Sequence, residues 1–180
     1  IGEAAVTGSG SRWNSSGSLY VGIAGTGTLN VADGGVVANR KGFIGYDSES
    51  TGEVTVTGSG SQWNNSDDLL IGGQDSEAGG TGTLNLYDSG LVAVAGTIKL
   101  WDTGVLNLDG GSLTTGSFDN SEAGTFNFHD GTLTVNGAGG VFDPGVVDFS
   151  INGNAVDDAP HLVTVSYTHL RAHEPEADLV

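Results

Sequence analysis

The residues best suited to metal chemistry lie near the C-terminus. His169 and His173 are four positions apart, and Glu174 follows directly. On a helix this spacing places two imidazoles on one face, as many zinc sites require. The segment that holds them, residues 165–180, nevertheless differs from the rest of the chain, because it lacks glycine, of which the chain has 32 copies.

The coding of this segment accounts for its composition. The back-translated codons of Val165 to Glu174 resemble the end of a transposase-based sequencing adapter read through in one frame, and the adapter's continuation gives Asp178 to Val180. We therefore expect residues 165–180 to be a non-native tail and the histidine motif to be a coincidence of reading frame. We predict no metal site and no cofactor.

Two tryptophans are the candidates for ligand binding. Trp13 and Trp63 occupy equivalent places in two copies of a GSGSxWN motif. Exposed aromatic rings on a β-rich surface can stack on sugars, which is the binding hypothesis for both residues. The alternative is that each ring packs over a turn between strands, since buried aromatic side chains usually serve packing.

An acidic cluster is the next candidate. Carboxylates on loops coordinate calcium through oxygen, but the calcium-binding nonapeptide GGxGxDxUx is absent. A solvated acidic loop is therefore the better prediction. The cluster consists of Asp67, Asp68, Asp75 and Glu77.

An enzymatic site would need acidic groups, or an acidic group with Arg or Lys, gathered on one face for acid–base chemistry. Arg40 and Lys41 are adjacent but have no evident carboxylate constellation, and His129 is expected to be exposed in a turn. Other acidic residues recur with the repeat, which turn geometry explains better than one active site does. We predict no catalysis. The recurring residues are Asp33, Asp88 and Asp109.

Charge narrows the range of partners. The chain of 180 residues has 22 acidic and 5 basic residues, giving a formal net charge of −17. Such a chain repels phosphate backbones, so nucleic acid is not an expected partner. The chain contains no cysteine, which excludes disulfides and thiolate metal sites.

The elements that position these residues are repeats. The stretch GSGSRWNSSGSLYVG (8–22) returns as GSGSQWNNSDDLLIG (58–72), at a shift of 50. The stretch GTGTLNVADGGVVA (25–38) returns from Gly80 at a shift of 55. The five additional residues fall around Gln74 to Gly79, where we predict a surface loop.

A shorter period lies within these repeats. The pattern Gly-x-apolar-x-apolar begins at seven glycines, and its alternation predicts strands with one buried face. The pattern begins at Gly2, Gly27, Gly52, Gly82, Gly104, Gly124 and Gly145. Two inward columns follow, Ala4-Leu29-Val54-Leu84-Leu106-Phe126-Val147 and Val6-Val31-Val56-Leu86-Leu108-Phe128-Phe149, and the outward column between them is Ala5-Asn30-Thr55-Asn85-Asn107-Asn127-Asp148.

A second set of short strands is visible at Leu19–Gly22, Phe43–Gly45 and Leu69–Gly72. Each coil of the chain therefore has at least two strands, separated by turns rich in Gly, Asp, Asn and Ser. One such pair cannot bury its apolar face alone, so we expect successive coils to stack on one another.

The motifs GSGSxWNNSxxLxIG and GTGTLNVxDGGVVA resemble the repeat shared by bacterial autotransporter (type V secretion) passengers and PEP-CTERM-sorted proteins. The resemblance covers residues 2–95 well and is looser from Gly96 to Asp158, where the spacing shortens. It implies a right-handed parallel β-helix, export, and a role at the cell surface or in an extracellular matrix. It carries no catalytic residues.

We therefore predict an all-β chain, a right-handed single-stranded parallel β-helix (solenoid) with coils of about 20–30 residues. Residues 1–95 form paired repeats, residues 96–164 form shorter degenerate coils, and residues 165–180 are the adapter-derived tail. The expected function is a structural or adhesive region of an exported protein on a Gram-negative-type cell surface or outside the cell. The alternative is a carbohydrate-binding or polysaccharide-degrading β-helix.

The expected partners follow from that role. They are host or matrix glycans or surface proteins, with a membrane contacted only through an anchor outside the sequence. Open coil ends expose strand edges and invite self-association.

Overall fold

The computed structural model describes residues 1–136, 142–143 and 162–165, and these form an all-β structure. No helix occurs among the described residues, so none is present that could cross a bilayer. The strands are β1 (Gly2–Thr7), β2 (Arg12–Asn14), β3 (Leu19–Val21), β4 (Thr26–Ala32), β5 (Val36–Asn39), β6 (Gly42–Ile44), β7 (Thr51–Thr57), β8 (Gln62–Asn65), β9 (Leu69–Ile71), β10 (Thr81–Tyr87), β11 (Leu91–Leu100), β12 (Gly104–Asp119), β13 (Thr125–Val135), β14 (Phe142–Asp143) and β15 (Leu162–Val165).

The first ladder joins β1, β4, β7, β10 and the beginnings of β12 and β13, all in parallel. Its register is the predicted one, because Ala4 pairs with Leu29 and Val6 with Val31, and so on through Phe126 and Phe128. The two inward columns are thereby confirmed for six copies. The seventh copy, residues 145–149, lies outside the described residues, as does residue 166 onward of the predicted tail.

Two further ladders run beside the first. The second ladder joins β2, β5, β8, the start of β11, residues 112–115 of β12, the later part of β13, and β15. The third ladder joins β3, β6, β9, the end of β11, residues 117–119 of β12, and β14. Successive coils therefore contribute three strands, one beyond the two whose pattern is visible in the sequence.

The core is formed by the inward side chains of all three ladders. Alternation along each strand sends every second residue inward, and the inward residues form one apolar cluster. Burying each of these Val, Leu, Ile or Phe side chains contributes about 1.5–3 kcal/mol relative to exposure. Members from the three ladders include Leu84, Trp63 and Ile71, all fully buried.

Glycine is required where the third ladder passes into the next coil of the first. Gly22, Gly45 and Gly72 have φ of 75°, 73° and 82°, a region that L side chains rarely adopt. A Cβ at Gly52 would collide with the carbonyl oxygen of Val21 and the amide nitrogen of Gly45. The repeated glycines of the sequence are therefore the points where neighbouring coils approach most closely.

Hydrogen bonds between stacked amide side chains connect successive coils on the outward face of the first ladder. Asn127 Nδ2 donates to Asn107 Oδ1 at 2.8 Å, and Asn107 Nδ2 donates to Asn85 Oδ1 at 2.7 Å. Asn85 Nδ2 in turn donates to Glu53 Oε1 at 2.9 Å. We call this chain of contacts the amide ladder, and it links four successive coils.

The turns agree with the sequence analysis. Asp75 to Ala78 are exposed, and a single antiparallel bridge joins Gly73 to Ala78, so the predicted surface loop around residues 74–79 is confirmed. Asp33 and Asp88 have φ of 53° and 45°. Their recurrence is explained by left-handed turn positions, which Asp tolerates better than most residues do. The prediction of a turn is wrong for Asp109, which lies within β12.

Candidate functional site

Trp63 belongs to the core. Its side chain has no exposed surface, and its Nε1–H donates to Asn39 Oδ1 at 2.7 Å. Asn39 Nδ2 donates in turn to Asn65 Oδ1, also at 2.7 Å. A fully buried ring offers no face to a sugar, so the structure removes Trp63 from the sugar-stacking hypothesis and assigns its polar edge to this buried amide pair.

Trp13 occupies the equivalent inward position in the first coil, at the end of the second ladder. It pairs with Val37, which pairs with Trp63, so both tryptophans lie in one column of the second ladder. Trp13 is 39% exposed because no described coil lies on its outer side. The structure does not test the sugar-stacking hypothesis for Trp13, which remains a prediction about an exposed ring on the first described coil.

The exposed apolar surface is concentrated at this end. Among the described residues, the large hydrophobic side chains classed as exposed all belong to the first coil, namely Ile1, Trp13, Tyr20 and Ile23. Tyr20 stacks on Phe43 with ring centroids 4.8 Å apart and an interplanar angle of 4°, and Tyr46 meets both rings edge-on. This aromatic group has no motif in the sequence, since its members come from different coils.

A groove follows the corner between the second and third ladders. Its volume is about 650 Å³, and it is lined by residues from the first coil, such as Asn14, through to Thr114 and Asn136. The lining combines amide and hydroxyl side chains with Ala and Val side chains, most of its exposed surface is apolar, and Arg40 is its charged residue. We call it the axial groove, since it runs across the stacked strands.

The basic pair next to this groove is neutralised by the acidic cluster. Lys41 Nζ lies 2.6 Å from Asp75 Oδ1 and 3.1 Å from Asp68 Oδ2, and Arg40 Nη1 lies 3.5 Å from Asp67 Oδ2. The prediction that Arg40 and Lys41 lack carboxylate partners is therefore wrong. Residues some 27 to 34 positions apart become neighbours only when the coils stack.

These contacts change the titration of Lys41. The hydrogen bond to Asp75 is the largest influence and raises the pKa of Lys41 above its ordinary 10.5, with Asp68 adding to the increase and burial opposing it. A lysine held in the charged state is a poor proton acceptor. The acidic cluster and the basic pair therefore form an ion-pair network, and Lys41 is poorly suited to act as a general base.

A second network lies on the outer side of the third ladder. Lys99 Nζ lies 3.0 Å from Asp119 Oδ2 and 3.7 Å from Glu122 Oε1, and 4.5 Å from the centre of the Trp101 ring. Burial opposes ionisation of Asp119, but hydrogen bonds from Ser121 and Lys99 together lower its pKa below 3.8. The Asp119 carboxylate is therefore charged at neutral pH.

The described residues assemble no further acid–base or metal constellation. No group of three or more His, Asp or Glu side chains among them is arranged to hold a metal ion. His129 is exposed, as predicted, but it lies within β13 and not in a turn. The histidine motif at residues 169–174 lies outside the described residues.

Comparison with known proteins adds no relative. No protein-family model matches the chain, and neither a curated protein nor a solved structure is significantly similar to it. The site must therefore be interpreted from its own geometry, which offers exposed apolar side chains on the first described coil, two ion-pair networks and an axial groove.

Proposed function

We propose that the three parallel ladders are the faces of a right-handed, single-stranded parallel β-helix. The in-register pairing of each strand with its counterpart in the next coil supports the solenoid arrangement. Right-handedness is expected because connections between parallel strands are right-handed in about 98% of cases. Each coil advances the stack by about 4.8 Å.

The function that this architecture supports best is a structural or adhesive region of an exported bacterial surface protein, without catalysis. This proposal is supported mainly by the amide ladder, which recurs with the scaffold because Asn127, Asn107 and Asn85 repeat one contact. The two networks that occur once, around Lys41 and Lys99, consist of ion pairs. An active site needs a constellation that occurs once. A repeated one serves a rigid rod, and the net charge of −17 keeps such rods soluble.

The export route follows the resemblance of residues 2–95 to autotransporter passengers and PEP-CTERM-sorted proteins. A cell-surface or extracellular location follows from the same resemblance. Self-association through exposed coil ends belongs to the same proposal. There β1, β2 and β3 each pair on one side only, and Trp13 and Tyr20 are exposed.

The second candidate is a carbohydrate-binding or polysaccharide-degrading β-helix. The half-exposed ring of Trp13 favours the binding version, since an aromatic face beside an open cavity of about 340 Å³ can stack on a sugar. A screen for polysaccharide turnover separates degradation from binding. Turnover by the purified chain would favour the enzyme, and its absence together with adhesion would favour the rod.

The complete reading frame in the source DNA tests the proposed function. We expect further coils joined to an export signal and either an outer-membrane barrel or a short hydrophobic sorting tail. A complete frame with neither an export signal nor an anchor would contradict export and the surface role. The same frame tests the tail, since a native gene without codons for residues 165–180 confirms the adapter interpretation.

A further inference from the structure

The axial groove has a regular floor. The outward residues of the first five strands of the second ladder are Asn14, Ala38, Asn64, Ala93 and Thr114, and each pairs in register with the next. All five line the groove. The floor therefore alternates a hydrogen-bonding side chain with a bare methyl group, coil by coil. The column continues with Thr134, where the alternation ends.

This alternation sets a length. Neighbouring coils are about 4.8 Å apart, so equivalent groups on the floor recur about every 9–10 Å. The side chains of Asn14, Asn64 and Thr114 make no hydrogen bond to other described residues and lie at the surface or only partly buried. Their amide and hydroxyl groups are free to bind a ligand, and the methyl groups of Ala38 and Ala93 leave space between them.

We propose that the axial groove binds a linear, uncharged β-1,4-linked glycan lying along the axis of the stack. In such chains successive sugars are related by about a half-turn, so the same hydroxyl groups recur at every second sugar. The length of this two-sugar repeat is close to the distance of about 9–10 Å between equivalent groups two coils apart on the groove floor. The amides and the hydroxyl face the recurring polar edges, and the alanine methyls contact the apolar faces between them. This inference rests on the proposed β-helix and supplies a ligand for its adhesive role.

The charges favour a neutral glycan. The net charge of −17 repels polyanions, both nucleic acids and polyuronates. Arg40 is the charged side chain of the groove, and Asp67 at 3.5 Å partly neutralises it. One partly exposed guanidinium suits a hydroxyl hydrogen bond better than it suits a line of carboxylates.

A peptide fits this groove less well. Extended peptides bind β-structures by pairing with a free backbone edge. Here the corner backbone is already used between coils, with Ser15 N donating to Ala38 O at 2.8 Å and Ser66 N donating to Asn39 O at 3.0 Å. A ligand along the axis must therefore be recognised by side chains, and the floor offers those of a sugar site.

Calorimetric titration of the full chain with cellohexaose and chitohexaose tests the proposal, with maltohexaose as the α-linked control and oligogalacturonate as the anionic control. Ala93→Ile fills the gap in the floor and should weaken binding at least about tenfold. Asn64→Ala removes one polar contact and should weaken it about 2–10-fold. Thr55→Ile, an equally exposed outward site on the first ladder, is the matched control and should bind like the wild type.

Binding of either β-linked hexasaccharide with these variant effects supports the groove. Failure of both to bind, equal affinity for maltohexaose, or binding that survives Ala93→Ile but is lost in Trp13→Ala would overturn it. So would capture of an extended peptide in place of glycan. Circular dichroism of each variant reports the stack separately, so a folded chain that binds no glycan overturns the groove alone and leaves the surface role to the gene test.

Discussion

Replacing Trp63 by alanine tests how the second ladder is held together. The ring is fully buried, and its Nε1–H satisfies the side-chain oxygen of Asn39. Substitution of a buried tryptophan by alanine costs about 3–5 kcal/mol. Leaving the Asn39 oxygen buried without its donor adds about 1–3 kcal/mol. We therefore expect Trp63→Ala to lower the free energy of unfolding by at least about 4 kcal/mol.

The chain provides its own control for this change. Trp13 occupies the equivalent position but is 39% exposed, so Trp13→Ala should cost only about 1–2 kcal/mol. Trp63→Phe keeps most of the ring volume and loses the N–H donor. Its expected cost is about 1–3 kcal/mol, the penalty for an unsatisfied buried acceptor.

Urea unfolding followed by circular dichroism measures all three variants. Because repeat proteins can unfold in parts, the transition should also be followed by tryptophan fluorescence, and the two midpoints compared. Equal costs for Trp63→Ala and Trp13→Ala would refute the assignment of one ring to the core and the other to a coil end. A cost below about 1 kcal/mol for Trp63→Ala would refute the buried amide contact as well.

Three further substitutions test other parts of the stack by the same unfolding measurement. Gly52→Ala should lower the free energy of unfolding by about 1–3 kcal/mol, because the added Cβ collides with the backbone of neighbouring coils. The control is Gly2→Ala, whose Cβ meets nothing within 4 Å and which should change stability by less than about 0.5 kcal/mol. Similar values for both variants would contradict the close approach of the coils. Asn107→Ala breaks two hydrogen bonds of the amide ladder and should cost about 1–3 kcal/mol, and a neutral effect would show that the ladder is not formed in solution. Lys41→Met should cost less than about 1 kcal/mol at neutral pH, because Asp75 is largely exposed. The raised pKa of Lys41 means that this contribution is present below pH 10.5 and lost as the pH rises through the folded-state value, so a difference from wild type that persists at higher pH would contradict the ion pair.

The register of the first ladder is predictable from the sequence because one short pattern marks the start of each of its strands. Gly-x-apolar-x-apolar fixes both the face of each side chain and the glycine at which the strand begins. Leu29, Val54 and Leu84 therefore fall into one column, although up to 55 residues separate them. The third ladder is visible for the same reason, in the short apolar runs that end in glycine.

The second ladder is harder to predict, because its strands are short and of mixed composition. Arg12–Asn14 and Gln62–Asn65 contain one inward tryptophan each among polar residues. Their equivalence is visible in the sequence, but the burial of Trp63 and the exposure of Trp13 depend on how many coils lie on either side. The sequence of a single repeat does not show how many coils lie on either side of it, so it does not predict whether its tryptophan is buried.

Contacts between coils are the least predictable features. Lys41 and Asp75 are 34 residues apart, and only the stack brings them to 2.6 Å. The floor of the axial groove is likewise spread over five coils, each contributing one small side chain without a motif of its own. Binding surfaces of a stacked repeat protein are therefore found by aligning its coils in register, because a search for motifs along the sequence does not bring these residues together.

The distance between two spin labels along one outward column tests the stack most directly. Glu3 and Thr125 lie in the same column of the first ladder, five coils apart by the register of pairing, and the chain has no native cysteine to interfere with labelling. Pulsed electron paramagnetic resonance of the Glu3→Cys, Thr125→Cys chain should give about 24 Å, and the Thr28→Cys, Thr125→Cys chain about 19 Å, one coil less. Equal distances for the two pairs, or a separation beyond about 40 Å, would contradict the stacked parallel coils on which the account depends.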